Sequence, residues 1–202
     1  MSIVSSWGLT LEELDEILAY RPSVRGMLSG FVAEYRLTKM WFTDPRVHGW
    51  KRFGDHDRER PGDFGFTYRG TQIAVEVKSL QSNSIRHLGE TIMGKFQCDA
   101  SDSGTKTLPN GEKLKTTCLV RGGFDLLAVN LFEFEHKWNF AFLRNADYPS
   151  TTHAKYTVEQ RKHLLATTAT VTWPLQRPFH NEPYALLDQI VSDKQSSHRR
   201  RK

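Results

Sequence analysis

The stretch Thr71-Gln-Ile-Ala-Val-Glu-Val-Lys-Ser79, entered through Arg69-Gly70, constrains this chain more than any other part of it. Its alternation predicts a β-strand, because strand side chains point by turns to opposite faces. Ile73, Val75 and Val77 then share an apolar face, and Ala74, Glu76 and Lys78 share the other. Phe64-Gly-Phe-Thr-Tyr68 precedes it with strand composition, so Arg69-Gly70 reads as the tight turn of a hairpin whose return strand spans Gln72 to Leu80. A carboxylate and an ammonium two residues apart on an otherwise apolar strand call for a chemical reason.

The elements on either side set the fold class. Thr10 with Glu13 is a capping-box pattern, and Leu11, Leu14, Ile17 and Leu18 give the following helix its stripe. Arg21-Pro22 ends that helix, and Ser23 is positioned to cap a longer one carrying Val24, Met27, Leu28, Phe31, Val32 and Tyr35. Residues 46 to 60 read as a charged loop. Beyond the hairpin, a short helix is expected from Ile85 to Met93, and a turn-rich stretch over residues 99 to 117 with a loop at Leu108-Pro-Asn-Gly111. Phe124 to Phe134 and Trp138 to Leu143 read as adjacent central strands joined by a tight turn. A helix at Val158 to Leu165, a strand at Thr167 to Trp173 and a helix at Tyr184 to Val191 complete the order. Helices, hairpin, strands and helices again imply a mixed β-sheet flanked by helices, in the α/β or α+β class. One domain over residues 1–191 is expected, with a helical segment at 1–44 and a basic, disordered tail at 192–202 ending His198-Arg-Arg-Arg-Lys202.

Composition removes several function classes. No apolar run is long enough to span a bilayer, and Met1 to Trp7 lacks the basic and apolar regions of a secretory signal. Cys98 and Cys118 form no Cys-x-x-Cys pair, which argues against a disulfide framework or zinc knuckle and fits a reducing cytoplasm. The eight histidines show no metal-ligand spacing. A net charge of +5 permits a nucleic-acid partner without requiring one. Trp41, Trp50, Trp138 and Trp173 read as core or rim aromatics; Asp125 could approach a metal or cap the turn after Gly122-Gly123, and the turn is the favoured reading.

Phosphodiester hydrolysis supplies the reason sought above. It needs charge neutralisation at the phosphate, a source of hydroxide and stabilisation of the departing oxygen, all of which a hard divalent cation provides. Mg²⁺ prefers oxygen ligands and keeps several waters, so Asp63, Glu76 and the Val77 carbonyl suffice as protein ligands. Lys78, about 7 Å along the strand from Glu76, is placed to orient water or offset charge in the transition state. The plainer reading makes Glu76 and Lys78 a surface ion pair worth about 0–1 kcal/mol.

Asp63, the hairpin and Glu76-Val77-Lys78 resemble the motif of the PD-(D/E)XK nuclease superfamily, the restriction-endonuclease-like fold. The resemblance runs from about residue 24 to 145 and departs at Pro61-Gly62-Asp63, where the family has Pro directly before Asp. It implies that Asp63 and Glu76 bind Mg²⁺, that Lys78 assists hydrolysis, and that Glu34 on the preceding helix joins them. It also implies a DNA endonuclease akin to type II restriction enzymes or defence nucleases, acting as a homodimer. Two alternatives stay open: an effector or repair nuclease that needs a partner subunit, such as a defence-system protein, and a non-catalytic nucleic-acid-binding module of the same fold. Lys51, Arg52, Lys95, Gln97 and Lys106 are the candidate DNA contacts, Gln97 because its amide can pair bidentately with adenine. The loop from Thr105 to Thr117, with Lys106, Lys113 and Lys115, could probe a groove or be a solvated hairpin.

Overall fold

The computed structural model describes residues 2–53 and 62–199, and Arg58, Arg60 and the other charged positions of 54–61 lie outside them. The hairpin read from the sequence is present, with its first strand and turn as read and its return strand one residue earlier at both ends than the expected Gln72 to Leu80. β2 (Phe64–Tyr68) pairs antiparallel with β3 (Thr71–Ser79) through Arg69 at φ 47° and Gly70 at φ 74°. Two successive positive φ values match the twist of the flanking strands, which is why a glycine closes the turn.

This hairpin is the middle of a five-stranded mixed sheet. β1 (Val47–Arg52) lies outside β2, and β8 (Leu126–Asn130) followed by β9 (Phe140–Arg144) continues beyond β3, giving the order β1-β2-β3-β8-β9. Only β3–β8 is parallel, with Glu76 beside Leu127 and Lys78 beside Val129. Residues 46–60 were expected as loop; β1 forms because its backbone pairs with β2, an interaction that its polar sequence does not announce.

Helices cover one face of the sheet. α3 (Pro22–Trp41) contributes buried Ala33 and Leu37, and α6 (Tyr184–Arg199) contributes Leu186, Leu187, Ile190 and Val191. They pack on Phe64, Phe66, Tyr68, Ile73, Val75, Leu126, Ala128 and Phe142. Each fully buried side chain of this size stabilises the fold by roughly 1.5–3 kcal/mol. α3 starts with Pro22 in its first turn, where the missing N–H costs nothing, and Ser23 is not its cap. α6 continues eight residues beyond Val191, so the polar run Ser192–Ser197, expected in a disordered tail, is helical.

A second, three-stranded sheet covers the opposite face, in the order β10-β5-β4. β4 (Arg86–Leu88) and β5 (Thr91–Gln97) replace the helix expected at 85–93, after a single 3₁₀ turn at Ser82–Ser84. β10 (Thr168–Trp173) pairs along the whole of β5. Phe96, Cys98, Leu127, Val129, Leu143, Tyr148 and Val171 are buried between the sheets. β6 (Asp99–Thr107) and β7 (Lys113–Cys118) form a separate hairpin closed at Leu108–Gly111, so the turn-rich stretch is mainly strand. Phe124–Phe134 divides into β8 and the short α4 (Phe132–Glu135), and β9 is the last strand of its sheet, not a central one. α5 (Val158–His163) has a full capping box at Thr157 and Gln160.

At the N-terminus, α1 (Ile3–Ser6) and α2 (Leu11–Tyr20) bury none of their residues. The Thr10–Glu13 capping box forms as read. The stripe Val24, Met27, Leu28, Phe31 and Tyr35 on α3 is exposed; the face of α3 that meets the sheet is the one bearing Ala33 and Leu37. No helix among the described residues is long and apolar enough to cross a membrane.

Candidate active site

The site is built at the end of β3 where the β2 pairing stops. Phe64–Val75 is the last rung of that ladder, and Asp63 closes against β3 by donating its N–H to the Val75 carbonyl at 2.8 Å. Asp63 Oδ2 then accepts the Val77 N–H at 2.7 Å, one residue pair further on. That charge-assisted bond fixes the carboxylate beside the Glu76–Lys78 segment.

Gly62 makes this approach possible. Its φ is +83°, and a Cβ placed there would lie 2.6 Å from the Val75 carbonyl oxygen. No other residue fits both the dihedral and the gap. The departure from the family order, Gly between Pro61 and Asp63, therefore coincides with a backbone contact that only glycine permits. Pro61 itself lies outside the described residues.

Strand geometry aims the remaining donor. Ala74 receives and donates bonds on the β8 side: its N–H goes to Asp125 Oδ2 and its carbonyl accepts the Asp125 N–H. Backbone groups of alternate strand residues point to alternate edges, so those of Val77 face the Asp63 edge. The Val77 carbonyl thus leans to the same side as the Asp63 carboxylate.

Glu76 and Lys78 point together into the layer between the two sheets. Glu76 is 8% exposed, and its Oε1 accepts from Lys78 Nζ at 2.6 Å. Burial raises the Glu76 pKa, and the neighbouring Asp63 and Glu34 carboxylates push the same way while Lys78 opposes them. Burial disfavours the Lys78 ammonium, but Glu76 and Asp63 outweigh it and hold its pKa above the ordinary lysine value. Lys78 is therefore held as an ammonium beside Glu76. Behind it lies Cys98, whose thiol burial pushes up to about 12, and Tyr148, whose phenol burial also raises. The sequence marked Cys98 only as an unpaired thiol; nothing local reveals that the residue between β5 and β6 lies beside the site.

Glu34 comes from α3 and reaches the same region, with its Oε2 accepting Arg52 Nε at 2.9 Å. Arg52 also lies over the Phe31 ring at 4.8 Å. The structure thus brings Asp63, Glu76, Lys78 and Glu34 together and gives Arg52, read as a DNA contact, an ion pair at the rim. Lys51 is exposed on β1. Lys95 and Gln97 alternate with buried Gly94 and Phe96, so they face outward from the second sheet, and Gln97 Oε1 accepts from Gln81 Nε2 at 3.4 Å. Lys106 is half-buried on β6, away from this cluster in the fold. Asp125 does not cap the Gly122-Gly123 turn. Its Oδ2 accepts from Ala74 N–H and from Lys194 Nζ at 2.6 Å, tying β8, β3 and α6 together at the opposite edge of β3.

The donor set suits a hard divalent cation: two carboxylates and a carbonyl from one strand end, all oxygen. Among the described residues, no group of three or more His, Cys, Asp or Glu side chains is placed to hold a metal ion.

No protein-family model matches this sequence, and no curated protein matches it. The solved structure of a bacterial homing endonuclease matches over 70% of this chain and 86% of its own, at 16% identity and a TM-score of 0.34. At that depth the likeness leaves the fold to stand on its own geometry.

Proposed function

We propose that this chain is a metal-dependent endonuclease that hydrolyses DNA phosphodiester bonds with Mg²⁺ held by Asp63, Glu76 and the Val77 carbonyl. The observation that carries the reading is the meeting of Asp63 and Glu76-Val77-Lys78 at one strand end, with Asp63 Oδ2 bonded to the Val77 amide. When bound, the ion would supply Lewis acidity at the phosphate and lower the pKa of a coordinated water. Asp63 and Glu76 fix the position of the reacting centre, because one is held by a backbone amide and the other by burial in the inter-sheet layer. Lys78 stays protonated and places positive charge where negative charge develops. Glu34, paired to Arg52, adds a carboxylate on the helix side and sets the local field. Lys51, Lys95, Gln97 and Lys106 are proposed to meet the DNA outside this centre.

Relaxation of supercoiled plasmid with Mg²⁺, compared with EDTA, tests the proposal. Wild-type protein should nick only with the metal, and Glu76→Ala should keep the fold while losing about a hundred- to a thousandfold in rate. Lys78→Met should lower the rate similarly and leave DNA affinity nearly unchanged. Cleavage by Glu76→Ala at the wild-type rate rejects the assignment.

The 2.6 Å Glu76–Lys78 pair favours a second reading, a nucleic-acid-binding module in which the two charges only satisfy one another. Under it, Mg²⁺ does not bind near Asp63, and calorimetric titration gives no heat that Glu76→Ala abolishes.

A further inference from the structure

The chain between β10 and α6 encloses a cavity of about 450 Å³, with Trp173, Leu175, Arg177, Phe179, His180 and Asn181 in its walls. Small-molecule sites span about 300–1,000 Å³ and pair apolar or aromatic walls with a few polar groups, as this one does. Its walls are fixed. Trp173 ends the β10 ladder opposite Ile92 of β5, and Thr172 Oγ1 donates to the Pro174 carbonyl at 3.1 Å. Phe179 meets Phe96 of the inter-sheet core edge-on, with ring centroids 6.2 Å apart. His180 pairs with Phe142 on the outer edge of β9, donating a backbone bond at 2.9 Å and accepting one at 2.8 Å. Phe142 stands opposite Ala128, and Ala128 opposite Val77, so three strand spacings, about 14 Å, separate His180 from Val77. Neither Asp63 nor Glu76 lines this space.

Its polar groups select an anion. Arg177 lines the cavity and no acidic side chain does. Among the described residues no carboxylate pairs with Arg177. Glu182, the nearest acid in sequence, is engaged at the start of α6, where its two oxygens accept the Tyr184 and Ala185 N–H groups. Arg177 Nη1 donates instead to His180 Nε2 at 2.7 Å, which steers the guanidinium and occupies one of its five donors. Burial, and next the Arg177 charge, lower the His180 pKa, so the ring accepts that bond as a neutral imidazole. The Trp173 indole N–H and the Asn181 amide donate to no group among the described residues. We propose that this cavity binds a nucleotide, its phosphate on Arg177 and its base against Trp173 and Phe179. A terminal phosphate offers three acceptor oxygens to the guanidinium, indole and amide donors, where a carboxylate offers two. Every base has a π-face to lay on an aromatic ring, so the cavity should take purines and pyrimidines alike. A free mononucleotide and the phosphorylated end of a DNA strand carry this same chemistry.

The proposal stands apart from the nuclease reading, and calorimetric titration of the full chain in EDTA keeps metal-dependent cleavage out of its test. The probes are adenosine monophosphate, adenosine, inorganic phosphate, and a short oligothymidylate with and without a 5′-phosphate. Adenosine monophosphate should bind at least about tenfold more tightly than adenosine or phosphate, or the phosphorylated strand by that factor over the bare one. Whichever of the two binds names the source, a soluble nucleotide or a strand end. Arg177→Ala should weaken that binding by about tenfold or more and leave circular dichroism unchanged, since Arg177 is exposed. Trp173→Leu should cost a similar factor, and Trp173→Phe, which keeps a ring, should recover most of it. Three results would each overturn the proposal: no heat from either phosphorylated probe, inorganic phosphate binding as tightly as the nucleotide, or an affinity that Arg177→Ala leaves unchanged.

Discussion

The N-terminal arm and the sheet core put their apolar side chains to opposite use. In the core, Phe64, Phe66, Tyr68, Val75, Leu126 and Phe142 are buried, and two layers press on the sheet from both faces. In the arm, α2 is a well-capped amphipathic helix whose stripe meets α3 only through its edge, with Leu14 and Leu18 half-buried and Leu11 and Ile17 exposed. Periodicity shows that a helix has an apolar face; it does not show what lies against that face. The core's stability is a property of one chain. The arm's apolar face stays exposed.

The widest separation between the two regions should appear on truncating one side chain in each. Phe142 is fully buried and meets Trp41 edge-on at 5.5 Å between ring centroids. Phe142→Ala should lower the free energy of unfolding by about 3–5 kcal/mol. Leu11→Ala should change it by no more than about 0.5 kcal/mol, because Leu11 is exposed. Urea unfolding of both variants measures this. Equal losses would mean that the arm is folded into the core's cooperative unit and that the contrast is false.

The same contrast explains what the sequence reveals. The β2–β3 hairpin was legible to its turn, because Arg69-Gly70 and the two-residue alternation are local signals. Asp63, Glu76 and Lys78 were legible as a motif, since the hairpin alone dictates that they approach. β1 was not, because its strand character comes from pairing with β2 across a polar sequence, and the β4–β5 hairpin was not, because its residues have no clear alternation. Asp125 looked like a turn cap from its neighbours in sequence; its partners Ala74 and Lys194 are distant along the chain. The α3 stripe was visible and its exposure was not, because Ala33 and Leu37, the residues that face the sheet, are the weaker hydrophobic signal.

A smaller loss should follow from filling the space at Gly62, which joins the core to its chemistry. Gly62→Ala forces a left-handed dihedral on a residue with a Cβ and drives that atom to 2.6 Å from the Val75 carbonyl. The cost should be about 1–3 kcal/mol in stability. Nicking should fall with it, because Asp63 can no longer hold the Val77 amide. Stability and activity that both match wild type would show that Asp63 is positioned by something other than this contact.

The gentlest way to separate the regions needs no mutation. Cys98 is sealed between the sheets, and burial raises its thiol from 9.0 to about 12 in the native state. An unfolded chain loses that proton near its ordinary thiol value. Between those two values the native state holds one more proton than the unfolded state, so stability falls as pH rises. The contribution is intact below about 9, and its slope cannot exceed about 1.4 kcal/mol per pH unit. Tyr148, also raised by burial, adds to the loss at the upper end of the range. Urea midpoints measured from pH 8 upward should therefore decline, and Cys98→Ala should flatten the first part of the decline. The arm's tyrosines, Tyr20 and Tyr35, are exposed, so the arm adds no buried phenol to this titration. A Cys98→Ala variant with the wild-type slope would place the alkaline sensitivity outside the inter-sheet layer and remove the thiol as the core's reporter.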